Sequence, residues 1–225
     1  MQVKPSEPRS AEEHLWRVEA ARYALLRRLA YAMRHHLVVN LQPIGMITEV
    51  MDRRLKAAAP DLAQVQVSLG RINGLSKAAV QSCLDVVSWL APDPAIEVAL
   101  QEGVADCLSL VRSNLSFRGF TVSEELGDAQ SPVGLAALRT VLPAVLLTLT
   151  DNATGPARVV LRGRGSAEGA RLSIAIEASD GAPGFSGDAP YRVLGWDEVA
   201  ALAAAEGARF EHAGGQVRLD FPSAL

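Results

Sequence analysis

The chain has 225 residues, 49% of them hydrophobic and 21% charged, with a formal net charge of -3, which excludes a disordered chain and fits a globular protein of one or two domains. Its longest apolar runs, such as Val141 to Leu149, fall short of the roughly 20 residues that span a bilayer, and no signal-peptide pattern opens it, so a cytoplasmic protein without a membrane partner is expected. Mild acidity argues against nucleic acid as a main partner, and Arg27, Arg28 and Arg34 are expected on a solvated helix face.

Residues 1–9 are polar and contain Pro5 and Pro8, which predicts a flexible tail. Ser10 followed by Glu13 forms a capping box, and the apolar stripe after it continues from Leu15 to about Leu55. At about 1.5 Å per residue such a helix approaches roughly 70 Å. Pro43 removes one backbone donor and predicts a kink. A second stripe runs through Leu62, Val65, Leu69, Ile72, Ala79, Cys83, Val86 and Leu90 after a helix start at Pro60. The two segments predict an antiparallel hairpin over 10–91. A two-helix seam has no third layer to cover it, so pairing with a second copy into a four-helix bundle is the economical solution. Asn40 falls inside the stripe, where it either sets register between helices or marks a water-filled defect.

Ala91-Pro92-Asp93-Pro94 is a stiff linker, and 95–225 changes to a mixed pattern. Strands are predicted near Ile96 to Leu100, Phe120 to Glu124, Val159 to Arg162 and Leu172 to Ala178, the last two flanking a turn-rich Gly163 to Gly169. Helices are predicted through about Leu115, from about Val133 to Asn152, and over Glu198 to Glu206 with Gly207 as its stop. A hairpin at Gly214-Gly215 joins Ala208–His212 to Gln216–Phe221. The fold class is therefore α+β, a long helical hairpin followed by an α/β sandwich. Cys83 and Cys107, too few for a zinc site, are expected as reduced core residues.

The stretch from Ala32 to Ile44 carries the chemistry. On a helical wheel Leu26, Leu29, Met33, Leu37, Leu41, Ile44, Ile47 and Met51 share one stripe, with His35 roughly 170° from its centre and His36 about 70° away. His35 should face water, beside Tyr31, Val38 and Gln42, as a partner-docking surface would. The plain alternative is a seam histidine next to a solvated one. Adjacent helical residues diverge, so no metal site is expected.

His35-His36-Leu37-Val38-Val39-Asn40-Leu41 resembles the H-box of the sensor histidine kinases, matching its histidine, its leucine and its last place. Leu146 to Ala153 resembles their N-box, Asp180-Gly181-Ala182-Pro183-Gly184-Phe185 their glycine-containing aspartate box, and Leu194-Gly195-Trp196 through Glu206-Gly207-Ala208 their last glycine box and the helix after it. The resemblance covers nearly the whole chain from about residue 10. It implies a dimeric bundle with His35 as phosphoacceptor, and an ATPase-like sandwich. The chain departs from the family at His36, which stands in place of the proton-accepting acid, and at Val39, where members able to remove phosphate have a polar residue. Thr148 replaces the first N-box asparagine, no lysine follows Asn152, and about nine residues separate Phe185 from Gly195, too few for a mobile ATP lid. A triphosphate needs backbone donors at close approach and oxygen ligands for magnesium, so Asn152, Asp180 and Gly184 are read as vestigial and no nucleotide or other cofactor is expected.

Three functions remain open. The first is a histidine phosphotransferase passing phosphate between response-regulator receiver domains through His35, with His36 orienting or accepting a proton and magnesium supplied by the receiver. The second is an inactive pseudo-kinase scaffold that binds receivers or kinases. The third is a working kinase with an unusual pocket.

Overall fold

The computed structural model describes residues 7–127, 129–153, 156–166, 169–182, 184–185, 189 and 191–222. The fold is α+β, with helices and a mixed sheet. It divides into two compact units, one from residue 30 to 92 and one combining the chain up to Leu29 with Asp93 onward. The predicted hairpin segment 10–91 is thus shared, its first helix contributing to both units. Among the described residues no helix is long and apolar enough to cross a membrane.

Two long helices come first, α1 over Glu7–Leu55 and α2 over Leu62–Leu90. Helix α1 starts three residues before Ser10, so Glu7 to Arg9 leave the predicted tail, whose residues 1–6 lie outside the described ones. Pro8 sits in its first turn, where a missing N–H has no carbonyl to meet. The helix also continues through Pro43, which removes the single backbone bond to Val39 and does not end it. Asp61 caps α2, its Oδ1 accepting from Gln64 N at 3.1 Å.

Within residues 30–92, Asn40 Nδ2 donates to Ser82 Oγ at 3.0 Å, so this polar position joins α1 to α2. Met33, Met51, Ala79 and Trp89 are buried, but Leu41, Leu62, Leu69 and Leu90 of the predicted stripes are exposed. Cys83 is exposed too, against expectation, whereas Cys107 is buried. The apolar positions of α2 wrap two faces of the helix, and one neighbouring helix covers only one of them.

The second unit holds β1 (Glu97–Ala99), α3 (Leu100–Phe117), β2 (Phe120–Glu125), β3 (Pro132–Gly134), α4 (Leu135–Asp151), β4 (Ala157–Ser166), β5 (Gly169–Ala178), α5 (Trp196–Ala205), β6 (Arg209–Ala213) and β7 (Gln216–Pro222). The main sheet runs β2-β4-β5-β7-β6, parallel between β2 and β4 and antiparallel elsewhere. Alternation on β7 sends Val217, Leu219 and Phe221 inward and leaves Gln216, Arg218 and Pro222 outward. Helix α4 is buried almost end to end, from Leu138 to Thr150, and α3 and α5 flank it. Each fully buried leucine there contributes about 2 kcal/mol.

Several boundaries differ from the sequence pattern, two of them through contacts with distant segments. Val133 lies in β3, paired antiparallel with β1 through Val98, a contact between distant segments that local periodicity cannot register. Gly163 to Ser166 extend β4 where a turn was predicted. A Cβ at Gly165 would lie 2.0 Å from Ser131 Oγ, so this strand glycine marks a close crossing.

The first half of α1 packs in this unit. Val18, Ala21, Ala24, Leu25, Arg28 and Leu29 are buried, which overturns the expectation of a solvated Arg28. Arg192 Nη2 donates to the carbonyl of Ala20 at 3.2 Å and Arg22 pairs with Glu206 at 2.7 Å.

The start of α5 generates a pH prediction. Glu198 accepts from Gly195 N at 3.0 Å and from both terminal nitrogens of Arg192. The Arg192 hydrogen bond, aided by Gly195, holds its carboxyl below the usual range although burial opposes this. A folded-state value below the unfolded one stabilises at neutral pH, and this contribution is lost as pH falls through the folded value. Glu198→Gln should flatten that acid limb in urea titrations repeated between about pH 6 and 3.

Candidate functional site

On α1, His35 is exposed and His36 half-buried, one residue apart and diverging around the helix. The neighbours expected around His35 are open as well, Tyr31 at 67% exposure, Val38 at 43%, and Gln42. Arg34 lays its guanidinium 5.2 Å from the Tyr31 ring centroid, which holds a cation beside this apolar surface. His35, exposed on the helix, is open to an incoming group.

Asn152, Asp180 and Gly184, expected from the sequence as vestigial nucleotide positions, lie in the second unit. Asn152 ends α4, and its Nδ2 donates to the carbonyl of Thr148 at 2.8 Å, a bond within its own helix end. Thr148 is wholly buried and reaches no solvent. Asp180 is exposed. Gly184 lies against the turn after α3: a Cβ there would fall 1.9 Å from the Arg118 carbonyl carbon and 2.0 Å from Gly119 N. Phe185 N donates to the carbonyl of Phe117 at 2.9 Å, and the two rings are 5.3 Å apart. The absent side chain of Gly184 therefore admits the protein's own backbone, in the way a phosphate-binding glycine admits a ligand. Pro183 lies outside the described residues. No hydrogen bond among the described residues joins Asn152, Asp180 and Gly184.

Two residues that the sequence did not single out organise this corner. Arg28 pairs bidentately with Asp151, Nη1 to Oδ2 at 2.5 Å and Nη2 to Oδ1 at 3.0 Å, with side-chain exposures of 3% and 8%. Arg118 adds a contact to Asp151 Oδ1 at 3.0 Å and donates to the carbonyl of Thr150, also at 3.0 Å. Planar guanidinium forks suit a carboxylate so approached. Arg28 pairs with a carboxylate 123 residues away, which no local pattern marks. Arg118 left no pattern. Among the described residues, no group of three or more His, Cys, Asp and Glu side chains is gathered as metal ligands.

No protein-family model and no curated protein matches this chain. Among solved structures it is similar to the catalytic domain of the histidine kinase ThkA, at 12% identity and a TM-score of 0.43, over 57% of this chain and 95% of that one. It is similar to the Acinetobacter baumannii histidine kinase AdeS at 12% identity and a TM-score of 0.41, covering 84% and 97% of the two chains. A structure described as a bacterial phosphotransferase gives 13% identity and a TM-score of 0.40 over 87% of this chain and 94% of that one. At such values the roles of individual residues rest on the geometry alone.

Asp151→Ala should destabilise the fold by about 3 kcal/mol in urea unfolding, because it strands two arginines, one of them buried. Asp180→Ala, at an exposed position, should stay within about 0.5 kcal/mol of the unmodified chain.

Proposed function

We infer that the protein is a histidine phosphotransferase of two-component signalling that passes phosphate between receiver aspartates through His35, with no ATP-dependent step of its own. The observation that carries this reading is the open imidazole of His35 flanked by exposed Tyr31, Val38 and Gln42. The use of Gly184 and Asp151 in packing and ion pairing within the chain supports the second half of it.

In the forward step the unprotonated ring nitrogen of His35 attacks phosphorus. A P–N bond forms, the acyl P–O bond breaks, the receiver aspartate leaves as carboxylate, and the proton on the other ring nitrogen is released to water or to His36. The second transfer reverses these changes on another receiver. Neutral imidazole is a competent nucleophile near pH 7, and the receiver with its magnesium supplies the charge stabilisation. His36, half-buried, orients the neighbourhood or takes up the released proton.

Incubation with phosphorylated receivers tests this reading. His35→Ala should abolish labelling, while His36→Ala should slow it yet leave it measurable. Persistent labelling in the His35 variant with loss in the His36 variant would reverse the assignment. A second reading, a scaffold that binds receivers or kinases without accepting phosphate, is favoured by His36 in the place of the family's acid, and failure of every receiver to label the unmodified chain would select it.

The working unit is a homodimer. Val80, Leu84 and Val87 recur at helical spacing on α2 and are 58–61% exposed, an apolar strip that a second copy would cover. Light scattering at micromolar concentration should give the mass of two chains, and a monomer mass would sink the proposal.

A further inference from the structure

The outward face of the main sheet carries arginines on four of its five strands, and paired residues in neighbouring strands share that face. Most of these charges are matched across strands. Arg158 pairs with Glu177 at 2.7 Å, Arg162 with Glu125 at 2.7 Å, and Arg218 with Glu211 at 2.7 Å. The last charged row before the β4–β5 turn is different. There Arg164 stands opposite Arg171, Arg171 opposite Asp220, and Asp220 opposite Arg209. Asp220 Oδ1 accepts from Arg171 Nε at 2.5 Å, and its other oxygen lies 3.6 Å from Arg218. Arg164 and Arg209 have no ion-pair partner among the described residues.

This one row therefore keeps three guanidinium groups against a single carboxylate. Like charges placed directly opposite on a sheet are destabilising, and here that arrangement persists between Arg164 and Arg171. A cavity of about 560 Å³ opens on the same row, lined by Arg164, Arg171, Arg209 and Asp220 together with Gly165 and Gly207. Its donors are the planar forks that take up oxyanions.

We propose that this row is a binding site for a compact oxyanion carrying two or more negative charges, separate from the His35 surface and independent of its chemistry. Arg164 and Arg209 are its primary contacts, since Arg171 is already committed to Asp220. An extended polyanion fits less well, because Glu125 and Glu211 occupy the adjoining row and the chain is net acidic. Phosphate and carboxylate ligands share the required chemistry, so pyrophosphate and citrate serve as the two probes.

Titration calorimetry of the full chain at low salt should give one-to-one binding of at least one probe with a dissociation constant below about 1 mM. Pyrophosphate alone, citrate alone, or both would each support the site and name its preferred source. Arg164→Ser and Arg209→Ser should each weaken binding about tenfold or more, the loss expected for a charge-assisted contact, while Arg158→Ser, on a matched pair, should leave it within about twofold. Binding should also fall as salt rises. Thermal unfolding of the same variants reports whether they fold; where Arg164→Ser does not, Arg164→Lys should retain charge and show weakened binding from loss of the fork. No binding of either probe at about 10 mM, affinity unchanged in folded Arg164 and Arg209 variants, or an equal loss in Arg158→Ser would overturn the site.

Discussion

One buried ion cluster fixes the register of the first half of α1 in the second unit. Asp151 is the last residue of α4, where the helix already presents unpaired carbonyls and the negative end of its dipole. A carboxylate at that point is unfavourable unless cations meet it. Arg28 supplies a bidentate pair from α1, and Arg118 a further contact from the end of α3. Three helices are tied to a single side chain that water scarcely reaches. Such a cluster is weak evidence for net stability, because desolvation offsets much of its attraction, but it is selective about geometry: a shift of α1 along its axis would leave buried charge unmatched.

The same cluster explains which parts of the sequence were legible. Strand alternation in β5 and β7, the glycine stop after α5 and the hairpin at Gly214 are local signals, and each lies where the pattern places it. The burial of Arg28 is not local. A helical wheel ranks faces by polarity, and an arginine face looks solvated until the carboxylate opposite is known, 123 residues away. Strand β3 was hidden in the same way, since its three residues become a strand only through pairing with β1. Position 35 needed no distant information, because both the stripe and the exposure of its neighbours follow from one helix. The excess arginines of the outer sheet face were readable as residues but not as a row, since register between strands decides which of them stand together.

The exposed apolar positions on α1 and α2 follow one constraint. A helix in a two-helix pair needs one apolar face, whereas a helix in a four-helix arrangement needs two. Helix α2 buries Ala79 and Trp89 and leaves Leu84 and Val87 at 58% and 59% exposure, so its apolar residues exceed what its neighbour can cover. Asn40 bonded to Ser82 fixes one register point between the helices, in the manner of a polar residue that trades stability for uniqueness.

The corner around Gly184 is filled by the protein's own backbone. Here Gly184 is laid on the backbone of Arg118 and Gly119, and Phe185 is bonded to Phe117. Arg118 serves both arrangements at once, its backbone receiving Gly184 while its side chain holds Asp151. Opening that corner to a ligand would therefore disturb the ion cluster that also seats α1. Coupling of this kind makes the filled corner a structural element in its own right, tied through Arg118 to the end of the buried α4.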